Sequence, residues 1–178
     1  DDTIDTYASA KILCGWALIK PDVYSAGHPQ RTIWQCNTGS PNGDFEVGMA
    51  VTSDEKVTPY VTVGGTTQAI RNDALMSDTW AVITWRIDID GGYIEIGVNE
   101  VPGIAEAADG SCNTPYSTDI VLTGTLYTGM WDEFFKFHRW KGFIADMGLT
   151  DTLLTDEEFC KIICSLRTKY DIPLTEPS

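Results

Sequence analysis

The chain has 178 residues, 43% of them hydrophobic, and its 12 basic against 26 acidic residues give a net charge of −14. That length supports a sizeable buried core within one domain covering residues 1–178, while the negative field repels phosphate backbones and anionic headgroups and so argues against nucleic acid and acidic membranes as partners. Nothing approaches the ~18 consecutive apolar residues of a membrane span, so no membrane insertion is expected. The opening Asp1-Asp2-Thr3-Ile4-Asp5 is acidic where a signal sequence is basic and apolar.

Sixteen glycines and eight prolines punctuate short apolar runs, the spacing of turns in an all-β sandwich. From Lys11 to Ile19, Ile12, Cys14, Trp16 and Leu18 alternate with Leu13, Ala17 and Ile19, which predicts a strand buried on both sides and ended by Pro21-Asp22. A loop through Tyr24 and His28 leads to a strand over Thr32 to Cys36. Phe45, Val47, Met49 and Val51 form a strand with one apolar face, Tyr60 to Val63 its hairpin partner, and Gly64-Gly65 a turn. In the clearest hairpin, Ala81, Ile83, Trp85, Ile87 and Ile89 share a face, Asp90-Gly91-Gly92 turns, and Ile94, Ile96 and Val98 return. Glu100 to Pro115 reads as a long loop, and Ile120 to Met130 and Phe137 to Met147 as the last strands.

The final segment differs in kind. Thr155-Asp156-Glu157-Glu158 has the form of a capping box, so a helix is expected over about 155–169. Phe159, Ile162, Ile163, Leu166 and Tyr170 fall at helical spacing and must pack on the sandwich, with Lys161, Arg167 and Lys169 on the other faces. Cys160 and Cys164, four apart on this helix, point the wrong way for an ordinary disulfide. They are expected at a core-facing helix edge rather than on a metal. Cys14, Cys36 and Cys112 can form at most one bridge and are expected to be buried free thiols, so no disulfide framework is implied.

Three ordered segments carry a family resemblance. Cys14-Gly15-Trp16-Ala17-Leu18-Ile19-Lys20-Pro21-Asp22 is similar to the opening strand of laminin-G-like domains of the concanavalin A-like lectin and glucanase superfamily. Thr79 to Trp85, through Asp90-Gly91-Gly92 to Ile96-Gly97-Val98-Asn99, resembles that family's hairpin. Gly142 to Met147, Leu154 to Glu158 and Leu166 to Ile172 resemble its closing strand, capped helix and terminal Lys-Tyr pair. The likeness covers about residues 11–172. It implies an all-β fold, a two-sheet antiparallel jelly-roll sandwich with one short C-terminal helix, and a function in carbohydrate or surface-protein binding. Glu100 stands after Asn99 where the family usually has glycine, so that turn must differ.

Catalysis finds little support. Glycoside hydrolysis needs facing carboxylates, and Asp88-Ile89-Asp90 runs straight into the Gly91-Gly92 turn without a third partner. Neither His28 nor His138 stands with a serine elbow, and no phosphate-cradling glycine loop precedes a helix. For a calcium ion, Asp88 and Asp90 head a set of turn oxygens that also includes Asn99, Asp109, Asn113 and Asp119, with no spacing selecting among them.

The aromatic segment from Met130 to Trp140 is the main candidate contact. Trp131, Phe134 and Phe135 fall in the loop before a strand, where that much aromatic area is buried by a neighbour or meets a partner. With Asp132 and the hairpin-ending Asn99 they form the candidate ligand-binding set. The expected function is a non-catalytic module for carbohydrate or cell-surface glycan recognition and adhesion. A structural or decoration protein of a virion or surface assembly, binding other protein chains, is the alternative, and a divergent glycoside hydrolase a more distant one. The expected location is a virion or cell surface.

Overall fold

The computed structural model describes residues 12–22, 30–37, 45–52, 57–63, 66–69, 78–88, 93–104, 125–128 and 142–172. Ten strands and one helix follow in chain order: β1 Ile12–Pro21, β2 Gln30–Asn37, β3 Phe45–Thr52, β4 Val57–Val63, β5 Thr66–Ala69, β6 Ala81–Asp88, β7 Tyr93–Val98, β8 Gly103–Ile104, β9 Thr125–Thr128, β10 Gly142–Thr150 and α1 Asp156–Tyr170. They form two five-stranded sheets, ordered β10-β1-β6-β7-β8 and β5-β4-β3-β2-β9, and all the pairings are antiparallel. The architecture is the expected jelly-roll sandwich with a single C-terminal helix.

The first sheet is covered on both faces, which is why β1 and β6 read as nearly continuous apolar runs. On one face, Leu18 and Val82 meet Ile163 and Leu166 of α1, with Trp16, Trp80, Ala145, Ile162, Tyr170 and Ile172 packed around them. The alternate residues Leu13, Ala17, Ile19, Ala81, Ile83, Trp85, Ile87 and Ile96 are buried on the other face, where the second sheet contributes the fully buried Ile33. Phe159, Ile163 and Leu166 are the buried stripe of α1, and each such side chain contributes about 2 kcal/mol.

Two tryptophans lie over cross-strand glycines, one on each face of β1. Gly15 pairs with Trp85 of β6, and Trp16 pairs with Gly148 of β10. A Cβ at Gly15 would stand 2.5 Å from the Trp85 ring and overlap the Gly148 carbonyl oxygen, while one at Gly148 would overlap the Trp16 ring. Each indole thus occupies the space a side chain would take, which covers backbone that glycine alone leaves bare.

Arg86 of β6 holds the helix in place. Its Nε and Nη2 donate to the Leu154 carbonyl at 3.1 and 2.9 Å, Nη2 also donates to Asp156 Oδ1 at 2.8 Å, and Nη1 pairs with Glu95 of β7. The guanidinium lies 5.4 Å from the Phe159 ring centroid. One planar cation therefore joins two strands, the strand-to-helix turn and the first turn of α1. The cap itself is as predicted: Glu158 N–H donates to Thr155 Oγ1 at 3.3 Å and Thr155 N–H to Glu158 Oε2 at 2.8 Å.

Several expectations are corrected. Within the supposed loop Glu100 to Pro115, Gly103–Ile104 adds a short edge strand to β7. Thr66–Ala69 pairs with β4 beyond the Gly64-Gly65 turn and was not expected as a strand. The last strand, described over Gly142–Thr150, runs on past the Met147 at which it was expected to end, while residues 137–141, and all of Ile120 to Met130 except the strand Thr125–Thr128, lie outside the described residues. Cys160 and Cys164 are exposed, not core-facing, because the buried stripe falls on Phe159, Ile163 and Leu166. Cys14 is a buried free thiol as expected. Cys112 and the side chain of Cys36 lie outside the described residues. Among the described residues no helix is long and apolar enough to cross a membrane.

Three substitutions test this packing by urea denaturation. Gly15→Ala is expected to cost about 2 kcal/mol through overlap with Trp85, whereas Gly103→Ala, whose Cβ would meet nothing within 4 Å, should change stability by less than about 0.5 kcal/mol. Arg86→Ala should cost about 3 kcal/mol, because it strips the partner from the mostly buried Glu95 carboxylate and from the Leu154 carbonyl.

Candidate functional site

Where α1 crosses β1 and β10, an open groove of about 320 Å³ is lined by Trp16, Asp146, Lys161, Ile162, Ser165, Leu166 and Lys169. Lys161, Ser165 and Lys169 recur every four residues and so stand in one row along the helix. Ile162 and Leu166 supply apolar wall one position further round. Trp16 reaches the groove because Gly148 makes room for its ring, and Asp146 stands on β10 opposite Leu18.

Asp146 is the electrostatic centre of the groove. Its Oδ2 accepts from Lys169 Nζ at 2.8 Å and lies 3.1 Å from the Tyr170 hydroxyl, whose single proton is shared with the Ala145 carbonyl at 3.0 Å. The Lys169 hydrogen bond is the main reason that the Asp146 carboxyl is held below its ordinary value of 3.8; the Tyr170 and Trp16 donors add to it, and partial burial opposes it. The same contact, with that to Tyr170, pushes the Lys169 ammonium up, which also sits 4.8 Å from the Tyr170 ring centroid. Lys161 pairs with Glu157 at 2.7 Å, both well exposed.

Among the described residues lining the groove Asp146 is the one carboxylate, and three donors hold it ionised, so it is a poor general acid. Burial pushes the Cys14 thiol up, which removes its nucleophilic form. Among the described residues no three His, Cys, Asp or Glu side chains gather as a metal would require.

Of the residues singled out from sequence, Asn99 takes a left-handed conformation with φ 63°, which asparagine tolerates better than most residues. Its backbone N–H donates to the Val82 carbonyl at 2.8 Å, and its Oδ1 accepts from Val82 N–H at 2.9 Å. The Thr84 hydroxyl donates to the Glu100 carbonyl at 2.7 Å, completing the altered turn. Asn99 therefore ties the end of β7 to the start of β6. Asp88 ends β6 opposite Tyr93. Asp90, Trp131, Asp132, Phe134 and Phe135 lie outside the described residues, as do Tyr24, His28, Asp109, Asn113, Asp119 and His138. The groove residues went unnoticed in sequence, although Lys161, Ser165 and Lys169 carry a legible four-residue spacing.

No protein-family model matches the chain, and no curated protein matches it. Solved structures do. A native heptameric SAP-like pentraxin from Limulus polyphemus superposes with a TM-score of 0.66 at 19% identity, over 90% of this chain and 73% of that one. Domains LG4-5 of the mouse laminin alpha1 chain give 0.61 at 11%, over 87% and 40%. The CBM40 of a Ruminococcus gnavus IT-sialidase, bound to alpha2,3 sialyllactose, gives 0.60 at 12%, over 87% and 84%. The chain has the concanavalin A-like, laminin-G-like jelly-roll fold. At these identities the likeness speaks for the jelly roll alone, and its function has to come from the site.

A pH titration of stability tests the Asp146 cluster. Because the folded carboxyl is held below its ordinary value, its contribution is fully present above pH 3.8 and is lost as the pH falls through the lowered folded value. Denaturant unfolding should show Asp146→Asn less stable than the wild type at pH 7, with the gap closing as the pH drops below 3.8.

Proposed function

We propose that this protein is a non-catalytic carbohydrate-binding module of the recognition or adhesion type, acting at a cell or virion surface. The observation that carries the reading is the groove itself. It combines an indole wall, apolar helix residues and a short row of polar side chains in an open cleft of about 320 Å³. Aromatic and apolar surface suits the carbon face of a sugar ring, and a few placed polar groups suit its hydroxyls. The fold supports the same reading, since the CBM40 domain that shares it was solved with a bound sialylated sugar. That Asp146, held ionised by its donors, is the carboxylate among the described lining residues suits binding better than acid catalysis. Trp131, Phe134 and Phe135, with Asp132, are proposed as a second contact, their aromatic area matching the same ligand class.

A second reading, a structural or decoration protein held by other chains, draws on Phe143. This residue is 63% exposed on β10, the edge strand of its sheet, with its ring centroid 6.2 Å from that of Trp80. The botulinum neurotoxin DC binding domain, which shares the fold, was solved in complex with rat synaptotagmin II, so the scaffold also serves protein partners.

A glycan array run beside sedimentation velocity separates the two. Specific oligosaccharide binding by a monomer is the expected outcome, and silence on sugars with self-association would support the assembly reading instead. Trp131→Ala should leave the fold intact and weaken glycan binding about tenfold; unfolding without a binding-specific defect would assign that ring to the core.

A further inference from the structure

The hydrogen-bonding inventory of the groove is lopsided. Among the described residues its lining brings two ammonium groups, Lys161 and Lys169, and the Ser165 hydroxyl, against one carboxylate, Asp146. That carboxylate already receives Lys169, Tyr170 and Trp16, so it has little accepting capacity left for a ligand. Each ammonium carries three donors: one from Lys169 goes to Asp146 and one from Lys161 to the exposed Glu157. What remains is mostly donors, whereas a neutral sugar hydroxyl is best served by a donor and an acceptor together. A ligand that satisfies this groove must arrive rich in acceptors.

Spacing narrows the class further. Eight residues separate Lys161 from Lys169, about 12 Å along a helix at 1.5 Å per residue, with Ser165 midway and Trp16, Ile162 and Leu166 beside the row. Two separated cations beside an apolar wall suit an elongated ligand with acidic groups along one edge, not a single small anion. We infer that the groove recognises an acidic oligosaccharide, its carboxylate or sulfate groups set against Lys161 and Lys169 and a sugar ring against Trp16. This rests on the carbohydrate-binding reading and adds the charge of the ligand to it. The net charge of −14 opposes an anion at long range, but that field is screened beyond about 8 Å in physiological salt. Selectivity therefore comes from contact with the two lysines.

Calorimetric titration with a uronate-containing hyaluronan tetrasaccharide and with neutral chitotetraose tests this directly. The acidic sugar should bind more tightly. Lys161→Gln should weaken it about threefold, and Lys161→Gln with Lys169→Gln about tenfold, the range expected of exposed charge contacts, each a larger loss than the same variant causes for chitotetraose. Lys161 is exposed and its ion pair is with Glu157, so Lys161→Gln alone keeps the test valid if the double variant folds poorly. Equal affinity for the two sugars, or an acidic affinity that ignores both substitutions, overturns the inference and leaves carbohydrate binding standing. Failure of both sugars to bind, with chitotetraose and glycan-array silence agreeing, overturns both.

Discussion

The start of the helix is held in place by Arg86. A guanidinium this far from solvent is costly unless each face of it is used, and here the strand, the turn and the helix each supply a partner: Glu95, the Leu154 carbonyl, and Asp156 with the Phe159 ring. Those partners come from segments up to 70 residues apart in the chain. The contact to Leu154 matters most, because that carbonyl immediately precedes the Thr155 cap, so fixing it fixes where α1 begins. Phase along the helix follows from its start. With the first turn anchored, Phe159, Ile163 and Leu166 fall on the sheet, and Lys161, Ser165 and Lys169 fall along the groove.

The second constraint is the pair of cross-strand indoles. Trp85 over Gly15 and Trp16 over Gly148 sit on opposite faces of the same strand. Trp85 belongs to the layer between the sheets. Trp16 belongs to the layer under the helix, where it serves both as core and as groove wall. At the far end of the groove, the Asp146 cluster joins β10 to the last turn of α1 through Lys169 and Tyr170. The groove is thus held at one end by its helix start, at the other by an ion pair, and along its floor by a ring that glycine admits.

Much of this was legible in the residues. The capping box at Thr155 and Glu158, the helical spacing from Phe159 to Tyr170 and the shared face of Ala81, Ile83, Trp85 and Ile87 with Ile96 and Val98 each reflect local physics, and each formed as read. So did the burial of β1 on both sides. What escaped were features whose cause is not local. The two-residue β8 and four-residue β5 are too short to show a period, and they exist because a neighbouring strand offers an edge. Cys160 and Cys164 were placed on the wrong face, because the buried stripe falls on Phe159, Ile163 and Leu166 and leaves both thiols outside it. The groove was invisible for a similar reason: Trp16 reads as a strand residue and Lys161 as a solvated one, and only the crossing of α1 over β1 and β10 brings them together. Asn99, expected in the ligand-binding set, also accepts from the Val82 N–H through its side-chain oxygen, a use that sequence alone does not show.

The central claim is that the helix–sheet groove is where this protein meets its ligand. Chemical-shift mapping on isotopically labelled protein, titrated with an oligosaccharide that binds it, addresses this most directly. The account predicts that the Trp16 indole N–H and the Ser165 and Lys169 amides are among the signals that move, with saturation at one common affinity. Binding that saturates while those signals stay fixed would contradict it.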